Sequence, residues 1–500
     1  MNAGTLEFAK QVALYGGTTS SWTASNLNVD SGATLAVNYG GTGEFTSADL
    51  SILLALGGAS NGLKSGAKFG IDTTSGSQTY SGVIADPNGG SNVLGISKLG
   101  TNTLTLTGAN TYTGTTTVSA GTLQVGNGGT SGSLGTGAIV NNGAIAVNRS
   151  DAVTLSNDVS GSGALALTGT GTTTITGNNT YSGPTTISAG TLQVGNGGTS
   201  GSLGTGAIVN NGAIAVNRSD AVVLANDVSG SGALALTGTG TTTITGNNTY
   251  SGPTTITAGT LQVGAGGTSG SLGTGAVINN GSLAVNRSDA ITFANNVSGS
   301  GALALTGTGT TTITGANTYS GATTIIAGTL KVGDGGTSGS LGTGSIVNNG
   351  SLKFDKSIPM VMTNNISGSG ATAIVTGGVQ TSVSKVNYGY GIVPASVSSR
   401  LENAVTSIAA KQMNIKPEIA VNPMTIMPLA NMSANPILVP VRNPVTNPAV
   451  SAPAENVGNI ESTPIRNQAP IPADSGRNVE SNSGYTSTTT DVKKQEEASY

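Results

Sequence analysis

Residues 177–206 read GNNTYSGPTTISAGTLQVGNGGTSGSLGTG, and most of this stretch recurs along the chain. The run AGTLQVG begins at Ala120, Ala189 and Ala258 and returns as AGTLKVG at Ala327, so that each step is 69 residues. A fixed period of this length indicates a repeat architecture, which has to be recognised before any other fold is considered.

Within one copy, pairs of apolar residues alternate with polar residues, which is the period of a β-strand. Leu123 and Val125 form the first pair, Ile145 and Leu165 begin the next two, and Leu192 opens the following copy. The period therefore predicts three coils of about 23 residues each. The predicted fold is an all-β, right-handed parallel β-helix (a solenoid) of roughly 16 coils, and a β-sandwich is the less favoured alternative.

The composition excludes several functional classes. The chain has no Cys and no His, which removes disulfides, thiolate nucleophiles, imidazole bases and the usual zinc ligands. A net charge of −3 gives no footprint for nucleic acid. The Gly-rich loops lack the lysine of a phosphate-binding loop and the aspartates of calcium-binding nonapeptides. We therefore predict no cofactor and no metal site.

The repeats divide the chain into four regions. Divergent N-terminal coils are predicted over residues 1–119, with a short helix near 47–56 that ends at two glycines. The β-helix of 69-residue repeats is predicted over 120–380, with copies at 120–188, 189–257, 258–326 and, in degenerate form, 327–380. The first residues, MNAGTLEF, resemble a degenerate AGTLQVG, so the chain is expected to begin inside a coil.

The C-terminal third has a different composition, with 12 of the 16 prolines from Pro394 onward. Residues 381–415 are predicted to form a capping segment with an amphipathic helix near 400–413. This helix would either cap the open end of the solenoid or dock a partner, and the first alternative is favoured. Residues 416–500 are predicted to be a Pro-rich extended or disordered tail.

One charged motif, Asn-Arg-Ser-Asp, recurs in three copies. It supplies the weak candidate ligand-contact positions Arg149, Asp151, Arg218, Asp220, Arg287 and Asp289. These residues would either recognise an acidic sugar or form a polar corner with a local ion pair worth under ~1 kcal/mol, and the corner is the favoured interpretation. No catalytic residue is predicted, because sugar-cleaving β-helix enzymes need clustered carboxylates that the repeats do not supply.

Residues 95–126 read GISKLGTNTLTLTGANTYTGTTTVSAGTLQVG. This segment closely resembles the autotransporter-associated β-strand repeat, also called the passenger-associated transport repeat. The matching parts are Lys98–Leu106, Gly108–Gly114 and Ala120–Gly126. The resemblance extends over residues 1–380. It implies a β-helical passenger at the surface of a Gram-negative-type bacterium or secreted from it, often an adhesin associated with virulence.

The sequence thus leads to the hypothesis of a non-catalytic surface-displayed or secreted passenger that serves as an adhesin or a structural stalk. A polysaccharide-processing β-helix enzyme and a truncated fragment of a longer autotransporter are the alternatives. The expected partners are host or matrix surfaces, glycans or other cells. Open coil edges would also allow end-to-end self-association. No signal peptide, transmembrane segment or series of outer-membrane barrel strands is recognised in the chain.

Overall fold

The computed structural model describes residues 1–358, 362–376 and 379–383. Within these residues the chain forms a parallel β-solenoid with one α-helix, which confirms the predicted fold class. Strand pairing defines about 14 turns, so the count differs slightly from the roughly 16 coils expected. The helix predicted near 400–413 and the Pro-rich tail lie outside the described residues.

The strands form five sheets, named I to V here, and all neighbours are parallel except the last pair of sheet V. Sheet I contains Thr5–Phe8, Thr34–Asn38, Lys68–Asp72, Gly95–Leu99, Thr116–Val118, Ile139–Asn141 and Val159–Ser160. Sheet II contains Gln78–Tyr80, Thr103–Leu106, Thr122–Val125, Ala144–Val147, Ala164–Leu167, Thr185–Ile187, Ile208–Asn210 and Val228–Ser229.

The remaining sheets lie further along the chain. Sheet III contains Val153–Leu155, Thr172–Ile175, Thr191–Val194, Ala213–Val216, Ala233–Leu236, Thr254–Ile256, Val277–Asn279 and Val297–Ser298. Sheet IV contains Val222–Leu224, Thr241–Ile244, Thr260–Val263, Ser282–Val285, Ala302–Leu305, Thr323–Ile325, Ile346–Asn348 and Ile366–Ser367. Sheet V contains Ala290–Phe293, Thr310–Ile313, Thr329–Val332, Ser351–Lys356, Ala371–Thr376 and Val379–Val383.

The core is a set of inward columns of aliphatic side chains. In sheet II, Leu123 pairs with Ile145, and Ile145 pairs with Leu165, and all three are buried. Their neighbours along each strand point outward because successive side chains alternate between the two faces of a strand. Each turn is too small to bury its inner face alone, so that the stacking of turns creates the core.

The register shows that one repeat does not contain a whole number of turns. The column Leu123–Ile145–Leu165 continues to Thr185, which completes the third turn after Leu123. Leu192 is the residue that repeats Leu123 in the next copy, but it lies beyond Thr185 and pairs in sheet III. The repeat therefore exceeds three turns by about a third of a turn. The predicted division of each copy into three coils was wrong, because the short strand Thr185–Ile187 closes the third turn before the next copy begins.

The five sheets accordingly lie on three faces of the solenoid. Sheet II ends at Val228–Ser229, and Val228 accepts a hydrogen bond from the amide of Thr249 in the next turn. Two turns without strands on this face then lead to Ala290–Phe293, the first strand of sheet V. The same kind of break separates sheet I from sheet IV. Three repeats thus complete about ten turns and return to the first face.

The N-terminal region carries the α-helix, Ser47–Leu54, inside the segment where the sequence predicts one. A capping box begins it, because the hydroxyl of Thr46 accepts from the amide of Asp49 while the Asp49 carboxylate accepts from the amide of Thr46. Three short 3-10 helices precede it, at Gln11–Ala13, Tyr15–Gly17 and Thr19–Ser21. In the described part of the chain, every helix lacks the length and apolar character required to span a membrane.

Candidate functional site

The recurrent arginines are held by two kinds of partner. Arg218 follows the strand Ala213–Val216, and its Nε and Nη2 each donate to one carboxylate oxygen of Asp220 at 2.8 Å. Its Nη1 donates to the carbonyl of Gly201. The Arg149–Asp151 and Arg287–Asp289 pairs repeat this bidentate geometry. Each arginine therefore ties a Gly-rich loop to the following turn with three of its five N–H donors, on a side chain that is at most 12% exposed.

The carboxylates of these pairs are held in the ionised form. The hydrogen bonds from the paired arginines lower the pKa of Asp151, Asp220 and Asp289, and the partial desolvation of each carboxyl opposes this effect only in part. A general acid needs a pKa near the working pH. The carboxyls of these pairs are therefore unsuited to donate a proton as a general acid near neutral pH.

The three pairs do not combine into one site. Because each repeat advances by an extra third of a turn, the pairs follow strands of sheets II, III and IV. In the fourth copy, Lys356 stands at the arginine position and Ile358 at the aspartate position. Lys356 still donates to the carbonyls of Thr337, Ser338 and Gly339. The cation–carbonyl contact is thus common to all four copies, whereas the carboxylate is not, and this difference favours the structural role.

The Asn-Thr-Tyr motif joins three successive turns. The Asn179 side chain accepts from the amide of Val159 in the preceding turn and donates to the carbonyl of Ser202 in the following one, at 2.8 and 2.7 Å. The hydroxyl of Tyr181, which is fully buried, lies 2.8 Å from the Thr185 hydroxyl. Equivalent contacts surround Asn110 and Tyr112, Asn248 and Tyr250, and Asn317 and Tyr319.

In each copy, a second buried asparagine amide donates hydrogen bonds to a turn at which the sheet on that face is interrupted. The Asn226 side chain donates to the carbonyls of Gly204 and Gly206, at 2.8 and 2.7 Å. Asn157, Asn295 and Asn364 make the same two contacts in their copies. The sequence analysis did not single out these asparagines. The signal was the recurrence of an asparagine at the 69-residue period, whereas the glycines that accept its hydrogen bonds lie 20 and 22 residues away in the sequence.

The outward columns of the first three repeats carry no charge. On sheet III, the outward residues run from Thr174 through Gln193, Ala215 and Ala235 to Thr255. Sheet IV repeats this order with its own copy of the sequence. The fourth copy is different. There Lys331 and Lys353 are adjacent on the outward side of sheet V, and Lys331 forms an ion pair with Asp355 at 2.7 Å.

Shallow depressions lie beside the turns at which a sheet is interrupted. One of about 150 Å³ is lined by Ser202–Thr205 and Val222–Asn226, and a related one of about 280 Å³ includes Lys356 and Ile358. Both are smaller than the ~300–1,000 Å³ typical of ligand pockets. Among the described residues no group of three acidic side chains could hold a metal ion.

The fold thus defines a repeat protein of the parallel β-solenoid class. The family model of the passenger-associated transport repeat matches residues 96–125, 165–194, 234–263 and 303–332. Four segments of the chain therefore match the passenger-associated transport repeat, and these repeats and the fold fit an autotransporter passenger. No curated protein and no solved structure shows significant similarity to the chain. The family suggests a location at the cell surface or outside the cell.

Proposed function

We propose that this chain is a non-catalytic passenger whose solenoid acts as a stalk and whose lateral faces provide adhesive contacts. The observation that carries the proposal is the internal use of the polar residues of the repeat. Arg218, Asn179, Asn226 and Tyr181 all contact their own chain. These residues stabilise the rod, and the uncharged outward columns are left to meet other surfaces.

The partners of such faces are host or matrix surfaces, glycans or other cells. The Thr side chains offer hydroxyls, and each Gln offers its amide oxygen, since its amide nitrogen donates to a carbonyl of its own chain two residues further on. Such groups suit many weak contacts along a solenoid. Weak contacts that recur on every face add up through multivalency when the partner surface is also repetitive. This role requires no catalytic residue and no cofactor.

Location is tested first, in the cells that produce the chain. An antibody against the repeats should label intact cells or detect the chain in the medium, whereas an antibody against a cytoplasmic protein should label only permeabilised cells. A chain found only after permeabilisation would contradict a surface function. It would support the alternative of a truncated relic.

Adhesion is tested with purified chains. The full chain and a variant that lacks residues 416–500 should bind immobilised matrix or cells to the same extent, since the proposed contacts lie on the solenoid. Circular dichroism checks that both variants keep their β-structure. Loss of binding in a folded tail-less variant would move the adhesive activity to the tail.

The enzymatic alternative predicts bond cleavage. Incubation with a panel of acidic polysaccharides should release neither reducing nor unsaturated ends. If ends are released, the triple variant Asp151→Asn, Asp220→Asn and Asp289→Asn shows whether the recurrent carboxylates are responsible. Activity that this variant loses while its fold is retained would overturn the non-catalytic role.

A further inference from the structure

Asn-Gly pairs occur in every copy of the repeat, in two different settings. One setting follows a strand such as Ile208–Asn210, where Asn211 precedes Gly212, and it recurs with Asn142, Asn280 and Asn349. The other setting is the Gly-rich loop, where Asn127 and Asn196 precede glycine in the first two copies. All of these asparagines are exposed. The two settings can therefore be compared within one protein.

An asparagine that precedes glycine can lose its side-chain amide without an enzyme. The backbone nitrogen of the glycine attacks the asparagine Cγ and forms a C–N bond, and the side-chain nitrogen leaves as ammonia with the proton that the glycine nitrogen loses. Water then opens the cyclic imide and leaves aspartate or isoaspartate. Glycine favours the attack because it has no Cβ. The reaction is fastest where the glycine amide is available and a donor stabilises the negative charge that develops on Oδ1.

The two settings differ first in the glycine amide. The amide of Gly212 forms no hydrogen bond within the described residues, and the same holds for the glycines at positions 143, 281 and 350. In the loop, by contrast, the amide of Gly197 donates to the carbonyl of Asn217 at 2.8 Å, and the amide of Gly128 donates to that of Asn148 at 2.8 Å. Such an amide must give up its hydrogen bond before its nitrogen can attack. The loop pairs are therefore protected.

The settings differ again at the asparagine oxygen. The Oδ1 of Asn211 accepts from the backbone amide of Ser231 in the next turn, at 3.2 Å. The equivalent serine amides donate to the Oδ1 of Asn142, Asn280 and Asn349 at 3.3, 3.1 and 3.2 Å. A fixed N–H donor at this oxygen stabilises the oxyanion that forms when Cγ is attacked. The stacking of turns thus supplies a donor that the local sequence does not contain.

The structure assigns Asn142, Asn211, Asn280 and Asn349 as sites of spontaneous deamidation. The glycine amide is the nucleophile, and the serine amide of the next turn stabilises the oxyanion. Each reaction adds one negative charge directly before a strand, and these strands lie in sheets II, III, IV and V. The modification therefore places charge on all three faces of the solenoid as the protein ages. It is independent of the proposed function.

The test uses a peptide that contains both settings. Trypsin cleaves after Arg149 and Arg218, so residues 150–218 form one peptide with both Asn196 and Asn211. The folded full chain is incubated in mildly alkaline, isotopically labelled water, in which each deamidated residue gains a heavy oxygen, and is then digested in unlabelled water at mildly acidic pH. Tandem mass spectrometry locates the label. We expect Asn211 to react at least about tenfold faster than Asn196.

The same chain in urea provides the reference, because unfolding removes the hydrogen bonds that distinguish the two asparagines. There Asn196 and Asn211 should react at similar rates. Two matched variants assign the label independently. Asn211→Gln should remove most of the label from the peptide, since glutamine has to close a larger ring, whereas Asn196→Gln should leave it. Circular dichroism verifies the fold of both variants.

Three outcomes would overturn the proposal. Equal rates at Asn196 and Asn211 in the folded chain would show that the glycine amide and the serine donor have no effect. A preference for Asn211 that persists in urea would make the local sequence its cause. A folded chain that stays unlabelled at Asn211 while the unfolded chain reacts would show that the solenoid blocks the attack. None of these outcomes depends on the location or the adhesion of the chain, so the two proposals are tested separately.

Discussion

Gln124 and Gln193 hold the same position in consecutive repeats, yet they project from different sheets of the solenoid. Gln124 pairs with Ala146 in sheet II, and Gln193 pairs with Ala215 in sheet III. Because each repeat adds about a third of a turn, successive copies of every motif lie on the three faces of the solenoid in succession. The interruptions of the sheets also move from one face to the next, so the strand-free turns of successive repeats lie on different faces.

The rotation predicts a measurable distance. Gln124 and Lys331 are three repeats apart and lie on the same face after about ten turns. Spin labels on cysteines at these positions should therefore be separated by ~48 Å, because neighbouring strands lie ~4.8 Å apart. Three whole turns per repeat would give only nine turns and ~43 Å. Double electron–electron resonance distinguishes the two values, and a pair at Gln124 and Val209, four turns apart in one sheet, calibrates the labels.

Two glycines should respond differently to alanine. A Cβ at Gly240 would overlap the backbone of Asp220 in the preceding turn, whereas a Cβ at Gly198 would meet nothing within 4 Å. Gly240→Ala should destabilise the solenoid by ~1–3 kcal/mol, because the turns must separate to fit the methyl group. Gly198→Ala should change stability by no more than ~0.5–1 kcal/mol. Thermal unfolding followed by circular dichroism makes the comparison, and equal effects would show that the turns are not closely stacked at Gly240.

The Tyr181–Thr185 hydrogen bond should appear as coupling between two buried hydroxyls. Tyr181→Phe alone leaves the Thr185 hydroxyl without its partner, and Thr185→Val alone removes the side-chain partner of the phenol, which also has a backbone hydrogen bond with Gly204, so each change should cost ~1–3 kcal/mol. The double variant should cost less than the sum by ~0.5–1.5 kcal/mol, because the hydrogen bond between the two hydroxyls is then lost only once. Urea unfolding of the four chains measures the cycle. Additive effects would show that the two hydroxyls do not depend on each other.

Lys98 should make stability rise with pH in alkaline solution. Its ammonium is buried and donates to the carbonyls of Leu99, Gly100 and Ala120. Burial lowers its pKa from 10.5 to about 8, against an opposing effect of Asp72. Between these two values the unfolded chain binds the proton more tightly than the folded chain, so that raising the pH through this range favours the folded state. Below about pH 8 the side chain is charged in both states, and the cost of burying the charge is constant.

The matched variant is Lys98→Leu, since leucine occupies the equivalent positions 167, 236 and 305. Its unfolding free energy should lack the rise between about pH 8 and 10. Desolvation raises the pKa of the buried tyrosines, such as Tyr181, and this favours unfolding above about pH 10 in both chains. The difference between the two pH profiles therefore isolates Lys98, and parallel profiles would contradict a buried, shifted ammonium.

The sequence predicted most of the local structure correctly. The two-residue alternation at Leu123 and Val125 predicted a strand with an inward apolar side, and both residues are buried. The repeat itself predicted stacking of turns, because no single turn contains enough apolar residues to bury. The short helix was predicted near 47–56 from a segment that ends at two glycines, and the capping contacts between Thr46 and Asp49 that the structure adds lie within one turn of helix.

The site was predictable only in part. The spacing of Arg218 and Asp220 indicated a local ion pair, and the structure contains it. The contact of Arg218 with the carbonyl of Gly201 joins neighbouring turns and has no signal in local spacing. The contacts of Asn179 with Val159 and Ser202 depend on the same stacking.

The sequence by itself determined the 69-residue period and, through the repetition, the stacking of turns, and the alternation of side chains along a few residues determined the strand pattern. Only the tertiary structure decided how the period is divided into turns. The length of a turn depends on which strands hydrogen-bond to each other, and Leu165 pairs with Thr185 and not with Leu192. Both pairings satisfy the apolar pattern. The backbone hydrogen bonds form between the strands that give the shorter turn, and each repeat therefore begins on a new face.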